Sequence, residues 1–119
     1  MEPIKMTEIA VKALDAKKAA DIKAIKIEDI TTLADYFVIA SASSSTQLKA
    51  LADEVEYELE QQGITCHHRE GMQSQEWILL DYGDIVVHIF IKDSRAFYNL
   101  DKMWCDGTDI DISEWTKPE

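Results

Sequence analysis

Two cysteines, two prolines and four glycines are all that this chain of 119 residues holds of the residue types that staple, break or hinge a backbone. Cys66 and Cys105 form no CxxC pair, which sets aside the paired-thiol zinc and redox motifs. Both thiols are expected reduced, in a cytosolic protein. So little Pro and Gly predicts no disordered linker. No apolar run approaches the roughly 20 residues that span a bilayer. The opening Met1 to Glu8 lacks the apolar stretch of a signal peptide. Positive charge is scarce too, with 12 Lys and Arg against 23 Asp and Glu and a net charge of −11. Residues 1–26 carry +2 and residues 27–119 carry −13. Phosphate backbones repel such a surface, so little direct contact with nucleic acid is expected, whereas a basic protein partner suits it. Solubility alone would also account for the charge.

What remains is 46% hydrophobic and 29% charged, the balance of a globular domain with one core. Met6, Ile9, Ala10, Ala13 and Leu14 share one face at helical spacing and predict a helix from about Ile4 to Ala19, with Lys17 and Lys18 at its C-terminal dipole. Ile22–Glu28 alternates as a strand. Asp35–Ser41 is apolar at nearly every position, as in a central strand covered on both faces. Ser44 and Gln47 fit a capping box opening a second helix, with Leu48, Leu51, Ala52, Val55 and Leu59 as its buried stripe and Gly63 at its end. Ile64–Glu70 predicts a third strand. Asp93 or Ser94 caps a short helix carrying Phe97, Tyr98 and Leu100. The fold class is α/β (α+β mixed): a five-stranded mixed sheet with two main helices on one face. Residues 1–105 form the domain, and residues 106–119 an acidic tail with Ile110, Ile112 and Trp115.

The stretch Glu76–Ile91 carries the functional expectation. It reads as a hairpin turning at Tyr82-Gly83, with Asp81 opposite Asp84, Leu79 opposite Val86 and Trp77 opposite His88. One face is aliphatic: Ile78, Leu80, Ile85, Val87, Ile89 and Ile91. The other mixes Trp77, Leu79, Asp81, Asp84, Val86, His88 and Phe90. Two helices cover one face of a sheet and not both, so Trp77, Leu79, Val86 and Phe90 are expected at least partly exposed, as an interaction surface. The competing expectation is that the first helix or the tail packs there.

Catalytic patterns are thin. A nucleotidyltransferase is the strongest enzyme reading for a small mixed sheet of this order. Its chemistry needs metals held by paired carboxylates near a Gly-Ser turn. The loop Ser41–Thr46 has no glycine, and the Asp109-Ile-Asp111 pair lies in the tail. Cys66, His68 and Glu70 would share one strand face, a weak zinc signal. A Cys–His pair from Cys66 or Cys105 with His88 lacks an orienting group. Neither a Walker loop nor GxGxxG occurs, so no cofactor is expected.

Several ordered blocks carry a resemblance: Asp35-Tyr-Phe-Val-Ile-Ala40 before a Ser-rich helix start, Ala50-Leu-Ala52, Trp77, Leu80-Asp-Tyr-Gly-Asp84 with Val86-Val-His88 and Phe90, and Arg95-Ala-Phe-Tyr98 with Leu100 and Trp104. Over residues from about 4 to 115 the chain resembles the Iojap family, the bacterial ribosomal silencing factors (RsfS). It departs at Ser41-Ala-Ser43, where the family often has a glycine. The resemblance implies a nucleotidyltransferase-like fold without catalytic residues. It implies no enzyme activity, and binding to large-subunit ribosomal protein uL-fourteen on the large ribosomal subunit, which blocks subunit joining and lowers translation when nutrients are scarce. Organellar relatives act in ribosome assembly. Trp77, Leu79, Asp81, Tyr82, Asp84, Val86, His88 and Phe90 are then the expected contacts, with Trp77 and Phe90 as anchors and Asp81 and Asp84 as partners for Lys or Arg. A homodimer off the ribosome would use the same Trp77–Phe90 face.

Overall fold

The computed structural model describes residues 2–27, 34–71, 76–91 and 108–116. The elements run α1 (Pro3–Ala16), β1 (Ala20–Lys26), β2 (Tyr36–Ala42), α2 (Ser45–Glu60), β3 (His68–Glu70), β4 (Trp77–Asp81), β5 (Ile85–Ile91) and β6 (Thr108–Asp109). The strands form one mixed sheet in the order β3-β4-β5-β2-β1-β6. Among the described residues only β2 and β5 pair in parallel; the other ladders are antiparallel. The sheet therefore has six strands among the described residues, one more than expected. The extra one comes from the acidic tail, where Thr108 and Asp109 pair with Lys26 and Ile25. Ile110, Ile112 and Trp115 then pack against the main core, so apolar burial holds the tail's described part on the domain. The short helix expected after Asp93 lies outside the described residues.

Both helices lie against one face of the sheet and against each other. Their apolar stripes meet Val38, Ala40, Ile78, Leu80, Ile85, Val87 and Ile89 in one buried cluster, so the aliphatic face of the hairpin is the helix-covered face. Strand β2 lies between β1 and β5, and Phe37 through Ala42 are all buried, as its apolar run predicts. No helix among the described residues is long and apolar enough to cross a membrane.

Helix ends follow local chemistry. The Ser44 hydroxyl accepts the Gln47 N–H at 3.1 Å and opens α2. At its far end the Gly63 N–H bonds Glu60 O at 2.9 Å and the Ile64 N–H bonds Leu59 O at 3.0 Å. The same pair of bonds ends α1, from Lys18 to Asp15 O (2.9 Å) and from Ala19 to Leu14 O (3.0 Å). Here Lys18 occupies the left-handed position, at φ +64°. Helix α1 thus stops three residues short of the expected Ala19, and Lys17 and Lys18 lie beyond its last turn.

Candidate partner-binding face

The hairpin turn sits one residue later than the sequence predicts. Tyr82 N–H bonds Ile85 O at 2.9 Å, which leaves Gly83 and Asp84 as the two turn residues. Gly83 holds φ +83° at the first turn position, where a primed hairpin turn of this kind wants it. The Asp81 carboxylate accepts the Gly83 N–H at 2.8 Å and fixes the turn. Moving the turn by one residue moves every partner by two. Trp77 therefore faces Phe90, Leu79 faces His88 and Asp81 faces Val86. A shift of two preserves faces because side chains alternate with period two. The division into an aliphatic and a mixed face is accordingly the one the sequence predicts.

Exposure on the mixed face is not uniform, and here the expectation needs correction. Trp77, Leu79 and Val86 are half-buried and Asp84 is exposed. Phe90 is only 1% exposed and His88 only 6%. Phe90 belongs to a second apolar cluster with Ile25, Ile27, Ala34, Phe37 and Ile39, against which Trp77 and Val86 pack. The reason is position in the sheet. Strand β5 is interior, with β4 on one side and β2 on the other, so its side chains are flanked from both directions. Phe90 is thus part of the core beneath the mixed face and not one of its exposed side chains.

Tyr82 also leaves the expected set. It alternates in register with Ile78 and Leu80, so it points to the helix side and joins the main core at 3% exposure. Its hydroxyl is buried and has no hydrogen-bond partner among the described residues. Burial holds it protonated well above the usual tyrosine range. Asp81 is half-buried and committed to the turn, which leaves Asp84 as the outward acidic group of the pair.

The mixed face is organised around four rings. His88 lies roughly parallel to Trp77 (6.3 Å between ring centres) and to Phe90 (6.1 Å). Phe37 meets His88 edge-on at 5.0 Å, and Trp77 stacks on Phe90 at 6.2 Å. These separations fall in the attractive range for aromatic pairs. The Trp77 indole Nε1–H donates to His88 Nδ1 at 3.4 Å. Burial pushes the His88 pKa down to about 4, so the ring is neutral at physiological pH. Sequence reasoning missed Phe37 as a member of this cluster, although its odd position in β2 aligns it with Val86 in the parallel ladder.

The candidate chemical groups do not converge. Cys66 belongs with the helix-side core, whereas His88 lies among the rings of the opposite face. The Cys66 thiol donates to His68 O (3.3 Å) and Asp81 O (3.6 Å), and burial pushes its pKa up, away from a reactive thiolate. His68 pairs with Glu70 at 2.8 Å instead of turning toward Cys66. No group of three or more His, Cys, Asp or Glu among the described residues could hold a metal ion. Asp109 is exposed in edge strand β6, and Asp111 accepts the Ser113 N–H at 2.9 Å, which lowers its pKa. Cys105 lies outside the described residues.

A helix-backed mixed sheet whose other face offers half-exposed aromatic and aliphatic side chains beside an acidic turn has the build of a protein-binding module. The family model described as "Ribosomal silencing factor during starvation" matches residues 1–119. A Bacillus subtilis protein named "Ribosomal silencing factor RsfS" is 42% identical over 105 residues, covering 88% of this chain and 89% of its own length. An X-ray crystal structure from Chromobacterium violaceum superposes with a TM-score of 0.86 at 33% identity, covering 88% of each chain. A mouse protein named "Mitochondrial assembly of ribosomal large subunit protein 1" is 29% identical over 103 residues, covering 82% of this chain and 44% of its own. The chain belongs to the ribosomal silencing factor (RsfS) family.

Proposed function

We propose that this chain is a regulator of translation and not an enzyme. It binds large-subunit ribosomal protein uL-fourteen in the cytoplasm and sterically blocks joining of the large and small ribosomal subunits when nutrients are limiting. The observation that carries the reading is the half-exposed strip of Trp77, Leu79 and Val86, with exposed Asp84 at its end, on the sheet face away from α1 and α2. Ribosomal proteins are generally basic, and a net charge of −11 favours their approach. Aromatic residues at the centre of an interface commonly supply most of its energy, so Trp77 is the anchor. A second copy covering this strip would hide it, so any homodimer competes with the ribosome and the functional complex is one-to-one.

The test is sedimentation of the purified chain with isolated large subunits, with and without small subunits. Wild type should co-sediment and reduce subunit joining, and Trp77→Ala should bind about thirtyfold more weakly, roughly 2 kcal/mol. Undiminished binding by a folded Trp77→Ala protein would show that the contact lies elsewhere. A second reading, a role in assembling the large subunit, is favoured by the printed name of the mouse relative. The two separate in cells lacking the protein. An assembly role leaves incomplete large subunits during growth, and a silencing role leaves them complete but over-engaged in starvation.

A further inference from the structure

Among the rings of the mixed face, His88 is the anomalous member. A phenylalanine or leucine there would bury without any polar consequence. The imidazole instead leaves its Nε2 buried with no hydrogen-bond partner among the described residues. A buried polar atom without a partner is destabilising. One thing an apolar side chain could not do is accept the indole proton of Trp77 on Nδ1. Accepting that proton also fixes the tautomer, since the ring's own hydrogen must then sit on the orphaned Nε2.

We infer that His88 is a positioning residue: its Nδ1 holds the Trp77 indole in the orientation that the partner meets. The inference deepens the proposed function and rests on that reading for its binding consequence, though its structural part stands alone. Trp77 is half-buried, lies on β4, packs against the second cluster and stacks on Phe90 and His88. Stacking is broad in angle, whereas a hydrogen bond is directional. Phe37, set edge-on against the imidazole, and Phe90, parallel to it, hold the acceptor itself in place. The partner then meets a pre-oriented anchor, and less ordering cost remains for the bound state.

The experiment compares the full chain carrying His88→Gln, which keeps a neutral acceptor, with His88→Phe, which keeps the ring packing and removes the acceptor. In wild-type protein at neutral pH, nitrogen NMR of the imidazole should show Nε2 protonated and Nδ1 bare. The Trp77 indole proton, assigned by its loss in Trp77→Phe, should move upfield in His88→Phe and stay near its wild-type position in His88→Gln. Affinity for isolated large subunits should fall about tenfold in His88→Phe, mostly through faster dissociation, and recover in His88→Gln. An Nδ1-protonated ring in the wild type overturns the inference, and that measurement needs no variant to fold. An unmoved indole resonance in folded His88→Phe overturns it equally. Should Trp77→Ala bind normally while the tautomer and indole shifts come out as expected, the contact face is misassigned and the positioning of Trp77 survives.

Discussion

Gly71 lies so close to Trp77 that a β-carbon on Gly71 would run into the Trp77 carbonyl oxygen. Gly71 also holds φ +80°, where other residues are strained. The backbone on which the proposed anchor is mounted therefore depends on a residue without a side chain. Gly71→Ala should cost at least about 2 kcal/mol, from left-handed strain and from displacement of the start of β4. Urea unfolding reads the stability and sedimentation with large subunits reads the binding. A variant as stable as wild type would show that this approach is not held in solution.

Phe90 and Trp77 stack on each other yet should respond differently to truncation. Phe90→Ala empties a buried site and should destabilise by roughly 3–5 kcal/mol. Trp77→Ala removes a half-buried side chain and should cost less stability and more affinity. Equal losses of stability in the two variants, by thermal unfolding, would contradict the division into core and contact.

Lys18 closes α1 in the left-handed conformation, which favours glycine. Lys18→Gly should stabilise the protein by about 0.5–1 kcal/mol, because the backbone already has the geometry glycine adopts without strain. The Gln47 amide meets the carbonyls of Lys17 and Lys18 at 3.1 Å each, so the loop is held in place and glycine there should not loosen it. A lower melting temperature in the variant would refute this account of the helix end.

His88 links stability to pH. Its ordinary pKa of 6.5 applies to the unfolded chain, and its folded pKa is about 4. Above pH 6.5 neither state carries the proton. Between these values the unfolded chain binds it and the folded protein does not, so stability falls as pH falls, by on the order of 3 kcal/mol in total. Below about 4 both states are protonated and the loss stops. The stability difference between wild type and His88→Gln should therefore change between pH 7 and pH 4. A difference that stays flat over that range would show that the imidazole is not desolvated.

The charge asymmetry should appear in kinetics. Residues 27–119 carry −13, so association with a basic partner should slow as ionic strength rises while dissociation changes little. Stopped-flow association rates at low and physiological salt check this, and salt-independent rates would remove electrostatic steering from the description.

Period and local bonding made much of the fold legible without coordinates. The alternation from Trp77 to Ile91 depends only on the two-residue repeat of a strand, so the two faces came out correctly even with the turn misplaced by one residue. Ser44 with Gln47 is a pattern of neighbours: the Ser44 hydroxyl caps α2 as read, while the Gln47 side chain accepts the Ser43 N–H in place of the Ser44 N–H that a full capping box uses. Tyr82 could have been placed by the same alternation, since it shares parity with Ile78 and Leu80. The helix end at Lys18 gave no such signal, because the residue in the left-handed position is not a glycine.

Cover is a different kind of property, and the tertiary structure alone decided it. Whether Phe90 meets water depends on the flanks of β5, and these are strands from distant parts of the chain. Pairing of the tail with β1 joins residues more than 80 positions apart, Ile25 with Asp109, and no local repeat announces it. The same holds for Phe37 against His88 and for the orphaned Nε2 of His88. Sequence set which side chains share a face, because that follows from backbone geometry over two or four residues. Which part of the face stays open for a partner follows from non-local packing, and only the assembled sheet contains that information.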